Sequence, residues 1–162
     1  MRKIQIRTFF IMLLSGMILA GTSCKKDDNT KTKTDMLTAG NWKLTAINIS
    51  PSLEIGGLQY SDIFGFLPDC SKDDLTKFNS NGSVNFDEGP IKCDAGSPQT
   101  TYGTWSFNAD ETKLTVIDSD GLPSENTISE LTDATLKFTF TSVEDLGNGE
   151  KTYTVTYTFT KQ

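Results

Sequence analysis

The sequence predicts an all-β domain of eight antiparallel strands, closed as an up-and-down barrel or, alternatively, stacked as a β-sandwich. Three observations predict it. Residues 152–160 read T-Y-T-V-T-Y-T-F-T, nine residues of period two, the signature of a strand with one buried and one wet face. Short runs of the same kind recur along the chain, separated by Asn, Gly and Asp turns. Finally, the 162 residues leave about 127 for one domain once an N-terminal export segment and a short tether are set aside.

Residues 42–49 (WKLTAINI) form a half-alternating first strand. Residues 75–78 and 83–86 flank Asn79-Ser80-Asn81-Gly82 and form a hairpin, because Asn-Gly tolerates positive φ. Residues 100–107 and 113–117 flank a turn at Asn108-Ala109-Asp110-Glu111. A weaker strand follows at 125–131 and an alternating one at 136–140; Gly147-Asn148-Gly149 then turns the chain into the last strand. Short turns make a meander, and closing it removes the exposed edges. Two connections are long, residues 50–71 and 87–99. The first carries Ile63, Phe64, Phe66 and Leu67, too apolar a set for an exposed loop, and is predicted to hold a helical turn and to lie as a lid over one barrel end. Trp105, Phe107, Phe138, Phe140, Tyr153, Val155, Tyr157 and Phe159 are the inward candidates, either as core or as the wall of a ligand cavity.

The N-terminus is an address. Arg2, Lys3 and Arg7 precede a twelve-residue apolar run at 9–20, within the roughly 7–15 residues of a signal peptide and short of the roughly 20 that span a membrane. Gly21-Thr22-Ser23-Cys24 resembles the lipobox of bacterial lipoproteins, although Gly21 stands where Leu is usual. That resemblance implies cleavage after residue 23, acyl chains on Cys24 and a partner in outer-membrane lipid. Two or more chains give stable anchoring. Lys25-Lys26-Asp27-Asp28 resembles the surface-export signal of Bacteroidetes lipoproteins; a solvated charged tether is the other reading. The expected organisation is a signal peptide at 1–23, a flexible tether at 24–35 and a barrel domain at 36–162, on the cell surface or the periplasmic face of the outer membrane.

Past residue 23, twelve Lys and no Arg remain against 21 acids, a net charge of about −9. That argues against nucleic acid as a partner. The absence of His removes His general bases, Ser-His-Asp and Cys-His catalysis, and His metal ligands. Cys70 and Cys93, an even pair in an exported chain, read as a disulfide. Carboxylate pairs occur at Asp73-Asp74, Asp87-Glu88, Asp118-x-Asp120 and Glu144-Asp145, but any acidic chain offers such pairs in its turns. Asp118-Ser119-Asp120-Gly121 opens like a calcium loop without the later ligands at EF-hand spacing, so no metal is expected. Trp42, Trp105 and Tyr102 are candidates for a sugar platform or for packing.

Gly40-Asn41-Trp42 matches the Gly-x-Trp motif of lipocalins. Cys70-x-x-Asp73-Asp74, Phe78, Asn81-Gly82, Cys93 and Tyr102-x-x-Trp105 together resemble the lipocalin-like domain of Bacteroidetes lipoproteins, over about residues 36–160. The resemblance implies a barrel with Trp42 at its closed end and a small apolar ligand. Many lipocalins cover that Trp with an Arg; here Lys161 is the available substitute, without the planar fork. The leading expectation is a non-enzymatic envelope lipoprotein that binds a small hydrophobic molecule and needs no cofactor. A filled barrel serving as a structural or interaction module is the alternative, and a carboxylate hydrolase the third reading.

Overall fold

The computed structural model describes residues 30–145 and 149–162. The export segment, Cys24 and the Lys25-Lys26-Asp27-Asp28 run lie outside the described residues.

A short helix, α1 (Lys33–Thr38), opens the domain. Thr32 caps it, accepting from the Asp35 amide while the Asp35 carboxylate accepts from the Thr32 amide. The helix therefore begins inside the stretch read as flexible tether. Its apolar reason is one residue: Leu37 is completely buried, and its carbonyl accepts from the Trp42 indole at 2.8 Å.

The strands follow as β1 (Asn41–Ile55), β2 (Leu58–Asp62), β3 (Leu75–Phe78), β4 (Ser83–Asp87), β5 (Thr100–Phe107), β6 (Lys113–Ile117), β7 (Pro123–Leu131), β8 (Thr135–Asp145) and β9 (Glu150–Lys161). All neighbours run antiparallel. β1 pairs with β3 through its first residues and with β9 from Trp42 to Ser50, so β1 and β3–β9 close an eight-stranded barrel. That closure excludes the sandwich.

A bulge between Leu44 and Ala46 explains the imperfect alternation of β1. The extra residue shifts the inward phase, so Leu44 opposes Phe159 and Ile47 opposes Tyr157 on the same face. β9 keeps its strict alternation and pairs with β8 from Thr135–Thr160 to Asp145–Glu150.

The predicted long loop at 50–71 is largely ordered structure. Gly56 and Gly57, at φ 60° and 81°, turn upper β1 into β2. Two positive-φ residues suit a two-residue hairpin, and Gly adopts them without a steric penalty. β2 is almost wholly exposed, which leaves it no hydrophobic alternation to be recognised by. A 3-10 turn at Phe64–Phe66 and a helical turn, α2 (Asp69–Lys72), complete the segment. Cys70 of α2 is bonded to Cys93 in the loop between β4 and β5, as the cysteine pairing predicted.

The interior has two apolar clusters. The larger, with Leu37, Trp42, Phe78, Val84, Trp105, Leu114, Leu136 and Phe138, fills the end closed by α1. The smaller, with Ile47, Ile49, Tyr153 and Val155, lines upper β1 and β9. Lys161 pairs opposite Trp42, and its stem packs over Gly40.

Candidate functional site: the barrel cavity

Alternation places Thr76, Phe78, Phe86, Val116, Ser124, Asn126 and the β8–β9 aromatics on the inner face of their strands, and Asp118, one residue past β6, continues the inward phase of Leu114 and Val116. Above the packed closed end these side chains leave a cavity of about 710 Å³, open toward the β6–β7 turn. The size falls in the roughly 300–1,000 Å³ range of small-molecule sites. The interior is therefore not filled by side chains.

One wall is aromatic. Phe138 and Phe159 meet edge to face with centroids 5.7 Å apart, and Phe140 stacks on Tyr157 at 5.7 Å. Both pairs join neighbouring strands, β8 and β9, so strand register sets their spacing. Polar groups lie beside that wall, on the adjoining strand β7 and at the β6–β7 turn. Asp118 lies where β6 leaves the barrel; its Oδ1 accepts the amides of Asp120 and Leu122, both at 2.9 Å. Asn126 donates through Nδ2 to the Ser124 carbonyl and hydroxyl oxygens. The Tyr157 hydroxyl has no hydrogen-bond partner among the described residues. Leu122 and Phe140 are exposed at the rim.

The eight aromatic and aliphatic candidates divide. Phe138, Phe140, Tyr157 and Phe159 line the cavity. Trp105 and Phe107 do not: Trp105 packs edge to face between Phe78 and Phe107, its indole donating to the Asn79 carbonyl at 3.0 Å. Tyr153 and Val155 belong to the smaller cluster. So do three of the four lid residues, Ile63, Phe64 and Leu67, which cover upper β1 and β9 and are absent from the cavity lining. Phe66 instead stands exposed against the ring of Tyr60. The lining residues that sequence reasoning missed are Thr76, Phe78, Phe86, Val116, Asp118, Leu122, Ser124, Glu125, Asn126 and Leu136. Inward alternation marked several of them; which of them border empty space depends on depth along the barrel.

The remaining sequence features resolve into structure. Trp42 and Trp105 are buried and Tyr102 is exposed on the outer face, so no sugar platform forms. Asp73, Asp74, Asp87 and Glu88 gather beside the disulfide. There Asp73 accepts the Ile91 amide at 2.8 Å, Glu88 accepts the Cys93 amide, and Asp87 accepts from Gly89, Gln99 and Thr100. The Gly89 amide, with Gln99 and Thr100, holds the Asp87 carboxyl below its ordinary range. Partial burial, then the charges of Glu88, Asp73 and Asp87, push Asp74 up. One oxygen each of Asp73 and Asp74 is buried without a partner. Among the described residues no group of His, Cys, Asp and Glu is arranged to hold a metal ion.

A closed eight-stranded barrel with its Gly-x-Trp tryptophan buried at the plugged end is the arrangement the sequence resemblance implied. The family of lipocalin-like domains matches residues 37–138. The chain belongs to that family. The matched span runs from Leu37 in α1 to Phe138 in β8, so it takes in the plug and most of the lipocalin-like cavity wall. No curated protein matches the chain.

Proposed function

We propose that this chain is an envelope lipoprotein, acylated at Cys24, whose lipocalin-like barrel binds a small hydrophobic molecule rather than catalysing a reaction. The observation that carries the binding reading is the 710 Å³ cavity with an aromatic wall and few polar groups. The end below it is packed: Trp42 and Leu37 are wholly buried in the cluster to which the lining residues Phe78, Leu136 and Phe138 also belong. The basic region, the twelve-residue apolar run and Gly21-Thr22-Ser23-Cys24 support the envelope address, with the outer membrane as its destination and the cell surface favoured by the Lys25-Lys26-Asp27-Asp28 run.

Binding is tested with a neutral fluorescent aromatic, N-phenylnaphthylamine, titrated into the full chain. Saturable fluorescence enhancement is expected, and Val116→Trp, which places an indole in the cavity, should abolish it while melting stays cooperative. Enhancement that survives Val116→Trp unchanged would remove the cavity from consideration. The address is tested by palmitate labelling, which should disappear in Cys24→Ala; labelling that persists would refute acylation at that residue.

A further inference from the structure

The polar side of the cavity is chemically one-sided. Its lining contains no lysine or arginine. Of its two acids, Glu125 sits between Ser124 and Asn126 on β7 and so projects to the outer face, where it pairs with Lys113 at 2.6 Å. Asp118 is left as the single charge among the inward positions. Its Oδ1 is committed to two backbone amides, while Oδ2 has no partner among the described residues. Asn126 spends its amide protons on Ser124 and keeps Oδ1 as a free acceptor. The unpaired carboxylate and amide oxygens are therefore acceptors. The hydroxyls of Thr76, Ser124 and Tyr157 can act as donors or acceptors and do not reverse that bias.

A ligand head placed there must supply protons. An ammonium offers three donors and a positive charge; a carboxylate offers neither and meets Asp118 as a like charge. The field of the whole domain has the same sign, since residues 30–162 carry ten Lys against 19 acids. In the same cavity, the rings of Phe138, Phe140, Tyr157 and Phe159 take an apolar body.

We propose that the barrel selects amphiphiles with a cationic, hydrogen-bond-donating head, of the alkylamine or arylamine class, over their carboxylate counterparts, with Asp118 as the residue that discriminates. The proposal rests on the cavity being a ligand site and adds the charge of the ligand to it.

The experiment displaces N-phenylnaphthylamine from the full chain with laurylamine, lauryl alcohol and lauric acid at neutral pH, each below its micellar concentration. The amine should compete at least about tenfold more tightly than the acid, the order of effect of one partly solvated charge pair, with the alcohol between them. Raising salt should narrow the gap. Asp118→Asn keeps the Oδ1 acceptor that holds the loop but removes the charge. It should reduce the amine's advantage over the alcohol by about tenfold, each competitor's affinity being corrected for the variant's own measured probe affinity. An acid that competes as well as the amine, or a preference unmoved by Asp118→Asn, overturns the proposal while probe binding keeps the binding reading intact. Absence of probe binding overturns both.

Discussion

Replacing Leu37 by Ala tests whether α1 is the plug of the barrel or part of a solvated tether. The side chain is wholly buried in the larger cluster, beside Trp42. Removing its three outer carbons forfeits about 2.4 kcal/mol of transfer free energy, at about 0.8 kcal/mol per carbon. The unfilled space adds up to about 2 kcal/mol where the surroundings are rigid. A one-and-a-half-turn helix at the end of a barrel can settle inward, so a total of about 3 kcal/mol is expected. For a domain of about 130 residues this lowers the melting temperature by about 10 °C. The backbone partner of Trp42 survives, because the indole donates to the Leu37 carbonyl and not to its side chain. The assay is thermal and urea unfolding of the full chain, with Leu122→Ala, at an exposed rim position, as the reference expected to stay within about 0.5 kcal/mol. A Leu37→Ala loss below about 0.5 kcal/mol would refute the plug, since that is what a change in a solvated tether gives.

Three further outcomes follow from the loop end of the barrel. With a sequence separation of 23, the Cys70–Cys93 bond should contribute about 3.4 kcal/mol in the chain-entropy account, so the Cys70→Ser, Cys93→Ser double variant should lose roughly that in urea unfolding. Two reactive thiols in the unreduced native protein would contradict the bond. Asp74 binds its proton more tightly when folded than at its ordinary 3.8, so stability falls as pH rises from 3.8 through the raised value and stays reduced above it. Asp74→Asn should therefore be more stable than the parent at neutral pH by about 0.5 kcal/mol, a screened figure for a partly exposed group, and the gain should vanish below the unfolded value. A variant less stable at neutral pH would show that burial and the neighbouring like charges do not penalise the Asp74 carboxylate. Asp87 has the opposite sign: its lowered value contributes stability above 3.8 that is lost as pH falls toward the folded value.

Most of the barrel was legible in the chain because its information is local. Turn residues and period-two runs placed eight of the nine strands among the described residues, and the cysteine count named the disulfide. β2 escaped because both its faces meet water, so alternation carried no signal; Gly56-Gly57 was the sign that a hairpin lay there. α1 escaped because one buried leucine holds it in place, and its capping pair, Thr32 and Asp35, lies in a polar run that reads as linker.

What the sequence by itself determined is which side of the alternating strands is apolar, since period two assigns a face without reference to any other part of the chain. Tertiary structure decided how deep along the barrel each inward residue lies, and so what it does. Tyr153, Val155, Tyr157 and Phe159 share one face of β9, yet the first two pack under the 50–71 segment and the last two border the cavity. The bulge in β1, the closure of β1 on β9 and the docking of α1 set those depths. Each joins residues far apart in sequence, and no local pattern encodes the empty volume left between them.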